Sequence, residues 1–149
     1  MEIDRNAPVR IEREVAIAAP IQVVWDVLTS VEQWPRWFSE GESVSLAGSL
    51  APGTTMRMKG RGTGSIKATI QRVEAPNLFT WTSRMPGFSA ISVWRLASRE
   101  NGTHVVREES IGGFLARVLR TGLQKKLDGF TETWLQDLKS EVERRASQH

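Results

Sequence analysis

Large apolar residues recur every three or four positions through the last quarter of the chain. They are Leu115, Leu119, Leu123, Leu127, Phe130, Trp134, Leu138 and Val142. This spacing places them on one face of an α-helix and predicts a single helix from residue 112 to about residue 146. At 1.5 Å per residue, such a helix would be roughly 45–50 Å long. A one-sided helix of this length needs a large apolar surface to lie on.

The preceding residues alternate between apolar and polar side chains over short stretches. Alternation across 9–17 predicts a strand with one buried face, and 21–29 has the spacing of a short amphipathic helix. Residues 31–38 predict a second short helix or a tight loop, because Pro35 prevents a long helix. Residues 41–111 then predict six strands joined by short turns. The predicted fold is therefore α+β, with a strongly curved antiparallel sheet around the terminal helix.

The last two predicted strands are joined at Asn101-Gly102, which is a strong signal for a two-residue turn. Such a turn places Glu100 opposite Thr103 and fixes the pairing of the whole hairpin. In that register Arg95 lies opposite Glu108. An ion pair of this kind is typical of a solvated sheet face.

The same hairpin places two charged residues on an apolar face. Trp94 and Leu96 must point inward, and the register puts Val105, Arg107 and Glu109 on their side of the sheet. A buried ion is costly unless it is paired or hydrogen-bonded. Two interpretations stay open. Arg107 and Glu109 pair with each other, with a neighbour or with water at a strand end, or they are the polar groups of a ligand cavity.

Composition narrows the classes of protein to consider. The 149 residues suit one domain, 1–149, that buries a core without disulfides or metals. The absence of cysteine excludes thiol catalysis and favours a reducing cytoplasm, and the polar start does not resemble a signal peptide. No apolar run is long enough to span a membrane. The net charge of +3 comes from interleaved cations and acids, so nucleic-acid binding is not predicted.

Motifs for metals and nucleotides are weak. The only histidines are His104 and His149, and without cysteine they predict no metal site. The glycine-rich residues 60–64 precede a strand rather than a helix, so they predict a hairpin and not a phosphate loop. No cofactor is predicted.

The candidate ligand-binding residues are large apolar side chains of the sheet, the second short helix and the terminal helix. Such side chains more often fill a core than line a binding site. They are Trp37, Phe38, Met56, Met58, Phe79, Trp81, Phe88, Trp94, Leu123, Leu127, Phe130 and Trp134. The candidate catalytic residues are Glu109 and Arg107.

Several segments resemble the START-like, or SRPBCC, superfamily and its polyketide cyclase/dehydrase branch. They are residues 19–37, Pro52-Gly53-Thr54, Trp94-Arg95-Leu96, Gly102-Thr103-x-Val105 and residues 108–116. The resemblance implies a helix-grip fold, in which a seven-stranded antiparallel sheet holds the terminal helix around a hydrophobic cavity. It also implies ligands such as lipids, sterols, polyketides, quinones or hormones, but no catalytic set that transfers residue by residue.

Three hypotheses follow from the sequence. The first is a cytoplasmic protein that binds a hydrophobic small molecule, such as a lipid, polyketide or quinone-like compound, between sheet and helix. The second is a cyclase, dehydratase or hydrolase in which Glu109 is general acid or base and Arg107 stabilises an enolate or oxyanion. The third is an interaction module or membrane-surface protein, which an exposed apolar stripe on the terminal helix would favour.

Overall fold

The computed structural model describes residues 2–62 and 64–148. The strands are β1 (Val9–Ile17), β2 (Gly41–Leu46), β3 (Thr55–Gly60), β4 (Ser65–Glu74), β5 (Leu78–Met85), β6 (Phe88–Arg99) and β7 (Gly102–Gly112). The α-helices are α1 (Ile21–Thr29), α2 (Trp34–Trp37), α3 (Phe114–Val118) and α4 (Arg120–Ala146), and a 3₁₀ turn at Val31–Gln33 precedes α2.

The seven strands form one antiparallel sheet in the order β1-β7-β6-β5-β4-β3-β2. The sheet is curled into a half-barrel that holds α4. The predicted α+β helix-grip class is confirmed, including the two short helical segments after the first strand. No helix among the described residues is long and apolar enough to cross a membrane.

The predicted register of the β6–β7 hairpin is wrong by two residues. The turn residues are Glu100 and Asn101, and Arg99 pairs with Gly102. Gly102 is the first residue of β7. It has φ +144°, and a Cβ there would lie 2.1 Å from the carbonyl oxygen of Ile17. Glycine is therefore required by the close approach of β1 and not by the turn.

A shift of two residues preserves the face of every side chain. Trp94 lies opposite Arg107, so the predicted inward placement of Arg107 and Glu109 is correct. Arg95 reaches Glu108 diagonally, with 3.0 Å between Nε and Oε1. The Glu108 side chain is only 5% exposed and also contacts Arg5, whereas the Arg95 side chain is 39% exposed.

The predicted long terminal helix is confirmed, but it begins later than predicted. The helix is interrupted at Leu119, and the 27-residue α4 spans about 40 Å. The Leu115 N–H in the short α3 donates to the Gly87 carbonyl in the β5–β6 turn at 3.0 Å. Leu115 and Leu119 are 36% and 53% exposed, and the first buried leucine of the stripe is Leu127.

Candidate functional site

A cavity of about 420 Å³ lies between the concave face of the sheet, α2 and the first half of α4. It extends toward the end of the sheet where β3, β5 and β7 finish and β2, β4 and β6 begin. Exposed side chains at this end, including Lys59, Met85 and Lys126, line its rim. The antiparallel topology thus brings segments that are distant in sequence to a single opening.

Ten of the predicted site residues line this cavity. They are Phe38, Met58, Trp81, Phe88, Arg107, Glu109, Leu123, Leu127, Phe130 and Trp134. The other four do not line it: Met56, Phe79 and Trp94 are completely buried in the core, and Trp37 is half-buried beside Phe38. Whether any lining residue binds a ligand stays a prediction.

The cavity wall also contains residues that sequence reasoning missed. Those with side chains are Trp34, Glu40, Val44, Lys59, Ser65, Ile66, Ser83, Met85, Ser89, Ala90, Ile111 and Lys126. Val44 and Ile66 could have been found from alternation, because both are cross-strand partners of Met58 and share its face. The rim residues carry no such signal, since they lie at strand ends and in turns.

Trp134 on α4 is the centre of an aromatic layer at one side of the cavity. Its ring stacks on Phe38 with centroids 4.6 Å apart and planes inclined by 10°. It also makes edge contacts with Trp34 at 5.1 Å and with Phe130 at 5.4 Å. Because packed aromatic pairs add about 0.5–1.5 kcal/mol each beyond area burial, the Trp134 indole is held in one position.

Arg107 on β7 lies beneath this layer and is 1% exposed. Its guanidinium carbon is 4.4 Å from the ring centroid of Trp134 and 5.1 Å from that of Trp94. Its Nη2 donates to Glu109 Oε1 at 3.1 Å. Burial lowers the pKa of the guanidinium from its usual value, and the Glu109 carboxylate partly restores it.

Glu109 is the more accessible member of this pair, with 13% of its side chain exposed. Its Oε1 also accepts a hydrogen bond from the Ser92 hydroxyl. The predicted pairing of the two charged residues in β7 is therefore observed, whereas their role as the polar groups of a ligand site stays a prediction. Arg107 and Glu109 pair with each other, and both line the cavity.

The buried polar atoms at this end of the cavity are mostly donors that lack an acceptor. Nε and Nη1 of Arg107 and the indole nitrogen of Trp134 have no hydrogen-bond partner among the described residues. An unsatisfied buried donor costs about 1–3 kcal/mol. This part of the site is therefore suited chemically to a group that presents acceptor oxygens.

The structure offers no evident place for a metal. In residues 2–62 and 64–148, no group of three or more His, Cys, Asp or Glu side chains is arranged to hold an ion. His104 lies away from the cavity, with Nε2 3.3 Å from a Glu14 carboxylate oxygen. The glycine-rich residues 60–64 connect β3 to β4 as predicted, although Thr63 lies outside the described residues.

Comparison with known proteins agrees with this architecture. A family model described as polyketide cyclase / dehydrase and lipid transport matches residues 8–143. The chain belongs to this family. One relative in sequence is a putative polyketide cyclase from Streptomyces cyaneus. It is 28% identical over 126 residues, which cover 85% of this chain and 70% of that protein.

Two solved structures resemble this member of the cyclase/dehydrase family. A hypothetical protein from Helicobacter pylori has a TM-score of 0.82 and 15% identity, covering 94% of this chain and 91% of its own. The Zhui aromatase/cyclase from Streptomyces sp. R1128 has a TM-score of 0.74 and 19% identity, covering 91% and 94% respectively. At these identities, the likeness establishes the fold alone.

Proposed function

We propose that this protein binds a hydrophobic small molecule in the cavity and holds an acceptor group of that molecule beside Arg107. The apolar walls supply affinity, at about 25 cal/mol per Å² of apolar surface removed from water. The observation that carries the proposal is Arg107 itself, which lines the cavity with two buried donors that have no partner among the described residues. Family membership and the name of the Streptomyces cyaneus relative support a polyketide-like ligand.

The size and chemistry of the site suggest a suitable probe. One or two fused aromatic rings fit within about 420 Å³. 1-Naphthoic acid carries an acceptor, and naphthalene is its matched hydrocarbon. We expect the protein to bind the acid more tightly, and a hydrogen bond to a charged donor accounts for roughly a ten- to hundredfold difference.

Fluorescence titration of wild type and Arg107→Met with both compounds tests the proposal. Arg107→Met should lose the preference for the acid and keep its affinity for naphthalene. Lys67→Met is the control, because Lys67 is exposed on β4 and does not line the cavity. Failure of both compounds to bind wild type would refute a ligand cavity, and an unchanged preference in Arg107→Met would refute the role of Arg107.

A second candidate function is a cyclase or dehydratase activity, which the Glu109 carboxylate in the cavity wall favours. Glu109 would take a proton from a carbon between two carbonyl groups of a poly-β-carbonyl substrate. The enolate would attack a second carbonyl of the same chain to form a carbon–carbon bond. Glu109 would return the proton to the new alkoxide, and Arg107 would stabilise the developing negative charge. Loss of the resulting hydroxyl group with a neighbouring carbon-bound proton, as water, would then lead to the conjugated ring.

This second function has its own test. Glu109→Gln keeps the size of the side chain but removes the base, so it should abolish turnover of a poly-β-carbonyl thioester analogue, followed by the absorbance of the aromatic product. Binding of 1-naphthoic acid should persist in the same variant. Turnover at the wild-type rate would reject Glu109 as the base while leaving the binding function intact.

A further inference from the structure

The exposed large apolar side chains of the described residues belong to the end of β5, to α3 and to the residue that follows α3. They are Phe114, Val118, Leu119, Met85 and Leu115, which are 74%, 63%, 53%, 42% and 36% exposed. The hydrogen bond from Leu115 to Gly87 joins α3 to the β5–β6 turn, and the Leu115 side chain lies against Gly87, so these segments are neighbours in the fold. An apolar patch confined to a single place on a protein marks an interaction site.

Basic residues surround this apolar patch. The segment 111–127 contains Arg117, Arg120, Lys125 and Lys126 and no acid. All four are exposed, and none forms an ion pair within the part of the chain that the structure describes. Apolar side chains beside uncompensated cations are the composition of helices that lie at the surface of an anionic bilayer.

A neighbouring groove of about 690 Å³ extends the basic surface. It lies between the start of β1 and the start of α4, and it is lined by Arg5, Arg10, Arg13, Arg120 and Lys125. Glu12 and Asp128 are the acids in its wall. The cations outnumber the acids in this wall, and two of them, Arg5 and Arg13, are paired with Glu108 and Glu132 outside it.

We propose that α3, the start of α4 and the β5–β6 turn dock on the surface of a lipid bilayer that contains anionic lipids. Phe114 and Val118 enter the boundary between headgroups and acyl chains, and Arg117 and Arg120 contact phosphate groups. The positive charge argues against a second copy of this chain as the occupant, because two such surfaces would repel each other.

Docking in this orientation places the cavity opening against the membrane. Met85 and Lys126 belong both to the docking surface and to the cavity lining. A hydrophobic molecule could therefore pass between bilayer and cavity without crossing water. The docking itself does not require the proposed ligand, since Phe114, Val118, Arg117 and Arg120 do not line the cavity.

Cosedimentation with vesicles tests the inference. Wild type should bind vesicles of phosphatidylcholine mixed with phosphatidylglycerol more tightly than vesicles of phosphatidylcholine alone, and salt should weaken the binding. Each cation near an anionic surface contributes about fivefold to the partition constant, so Arg117→Gln/Arg120→Gln should lose roughly 25-fold. Phe114→Ser/Val118→Ser should lose about tenfold or more. Circular dichroism should show unchanged melting for both variants, because the four side chains are exposed.

The matched control is Arg57→Gln/Lys67→Gln, which changes net charge equally on the outer face of β3 and β4. The control should bind vesicles as wild type does. An equal loss in the control, or no vesicle binding by wild type, would overturn the proposal. Self-association that is seen in sedimentation velocity and abolished by Phe114→Ser would also overturn it. So would DNA binding that depends on Arg117 and Arg120 and is tighter than binding to vesicles.

Naphthoic acid binding should survive every docking variant, so failure of the docking surface is distinguishable from failure of the cavity.

Discussion

Replacing Arg107 and Glu109 together by uncharged side chains of similar size should not destabilise the protein. The double variant Arg107→Met/Glu109→Gln removes a guanidinium that is 1% exposed and has two donors without a partner among the described residues. Those donors cost about 1–3 kcal/mol each. The variant also loses two kinds of favourable interaction. They are the hydrogen bond between the two side chains, at about 1.5–3 kcal/mol, and the two contacts of the guanidinium with indole rings, at about 0.5–2 kcal/mol each.

The opposing contributions are of similar size, and apolar replacement of other buried ion pairs has been neutral or stabilising by about 1–4 kcal/mol. We therefore expect the free energy of unfolding of the double variant to equal or exceed that of wild type. Arg107→Met alone should be roughly 1–3 kcal/mol less stable than the double variant, because it leaves the Glu109 carboxylate with only Ser92 as a partner.

Urea unfolding followed by far-ultraviolet circular dichroism measures these differences in the free energy of unfolding. Tryptophan fluorescence is less suitable, because replacing Arg107 changes the surroundings of the Trp134 ring. The control is Arg72→Met/Glu74→Gln, an ion pair whose side chains are 52% and 57% exposed and which should contribute at most about 1 kcal/mol. A loss of more than about 2 kcal/mol in the Arg107/Glu109 double variant would refute the reasoning, because the pair would then be a structural element of the core.

Three further predictions concern the packing and pH dependence of the fold. Trp134→Ala should lower the free energy of unfolding by about 3–5 kcal/mol and weaken naphthalene binding, whereas Trp134→Phe should retain most of both, as measured by urea unfolding and titration. The backbone N–H of Ala18 donates to the Glu143 carboxylate and lowers the pKa of that carboxyl. The contribution of this hydrogen bond to the free energy of unfolding is therefore fully present above the ordinary carboxyl pKa, and it is lost as pH falls through the lowered pKa of the folded state. Glu143→Gln should accordingly flatten the acid side of a plot of urea midpoint against pH, and an unchanged slope would contradict this. Gly102→Ala should cost about 1–3 kcal/mol or more, while Gly64→Ala, which meets no atom within 4 Å, should be neutral in the same assay.

The sequence pattern was sufficient for the fold because periodicity records which face of each element is buried. It was insufficient where a distant contact decides the local geometry. Asn101-Gly102 has the composition of a turn, yet Gly102 is the first residue of β7. Glycine is needed there because the Ile17 carbonyl leaves no room for a Cβ. The leucine spacing continues through Leu119, yet Leu119 separates α3 from α4, and the Leu115 N–H in α3 donates to the distant Gly87 carbonyl.

Within the site, alternation identified which residues face inward but not how far each one lies from the open end of the sheet. Met56 and Met58 share one face of β3, and Phe79 and Trp81 share one face of β5. The first member of each pair is in the solid core, and the second lines the cavity. The distance of a residue from the open end of the sheet separates the two roles, and that distance depends on the assembled topology, not on any local pattern.

Arg107 was found from sequence because it violates the pattern around it. A cation at an inward position raises the free energy of the folded state unless its donors are satisfied. Within residues 2–62 and 64–148, only one of the three guanidinium nitrogens of Arg107 has a hydrogen-bond partner. Sequences that are otherwise consistent with their fold tend to break such rules at functional sites. Uncharged residues at positions 107 and 109 together would complete the core with no expected loss of stability. The presence of arginine at position 107 is therefore best explained by the acceptor group that we propose it binds.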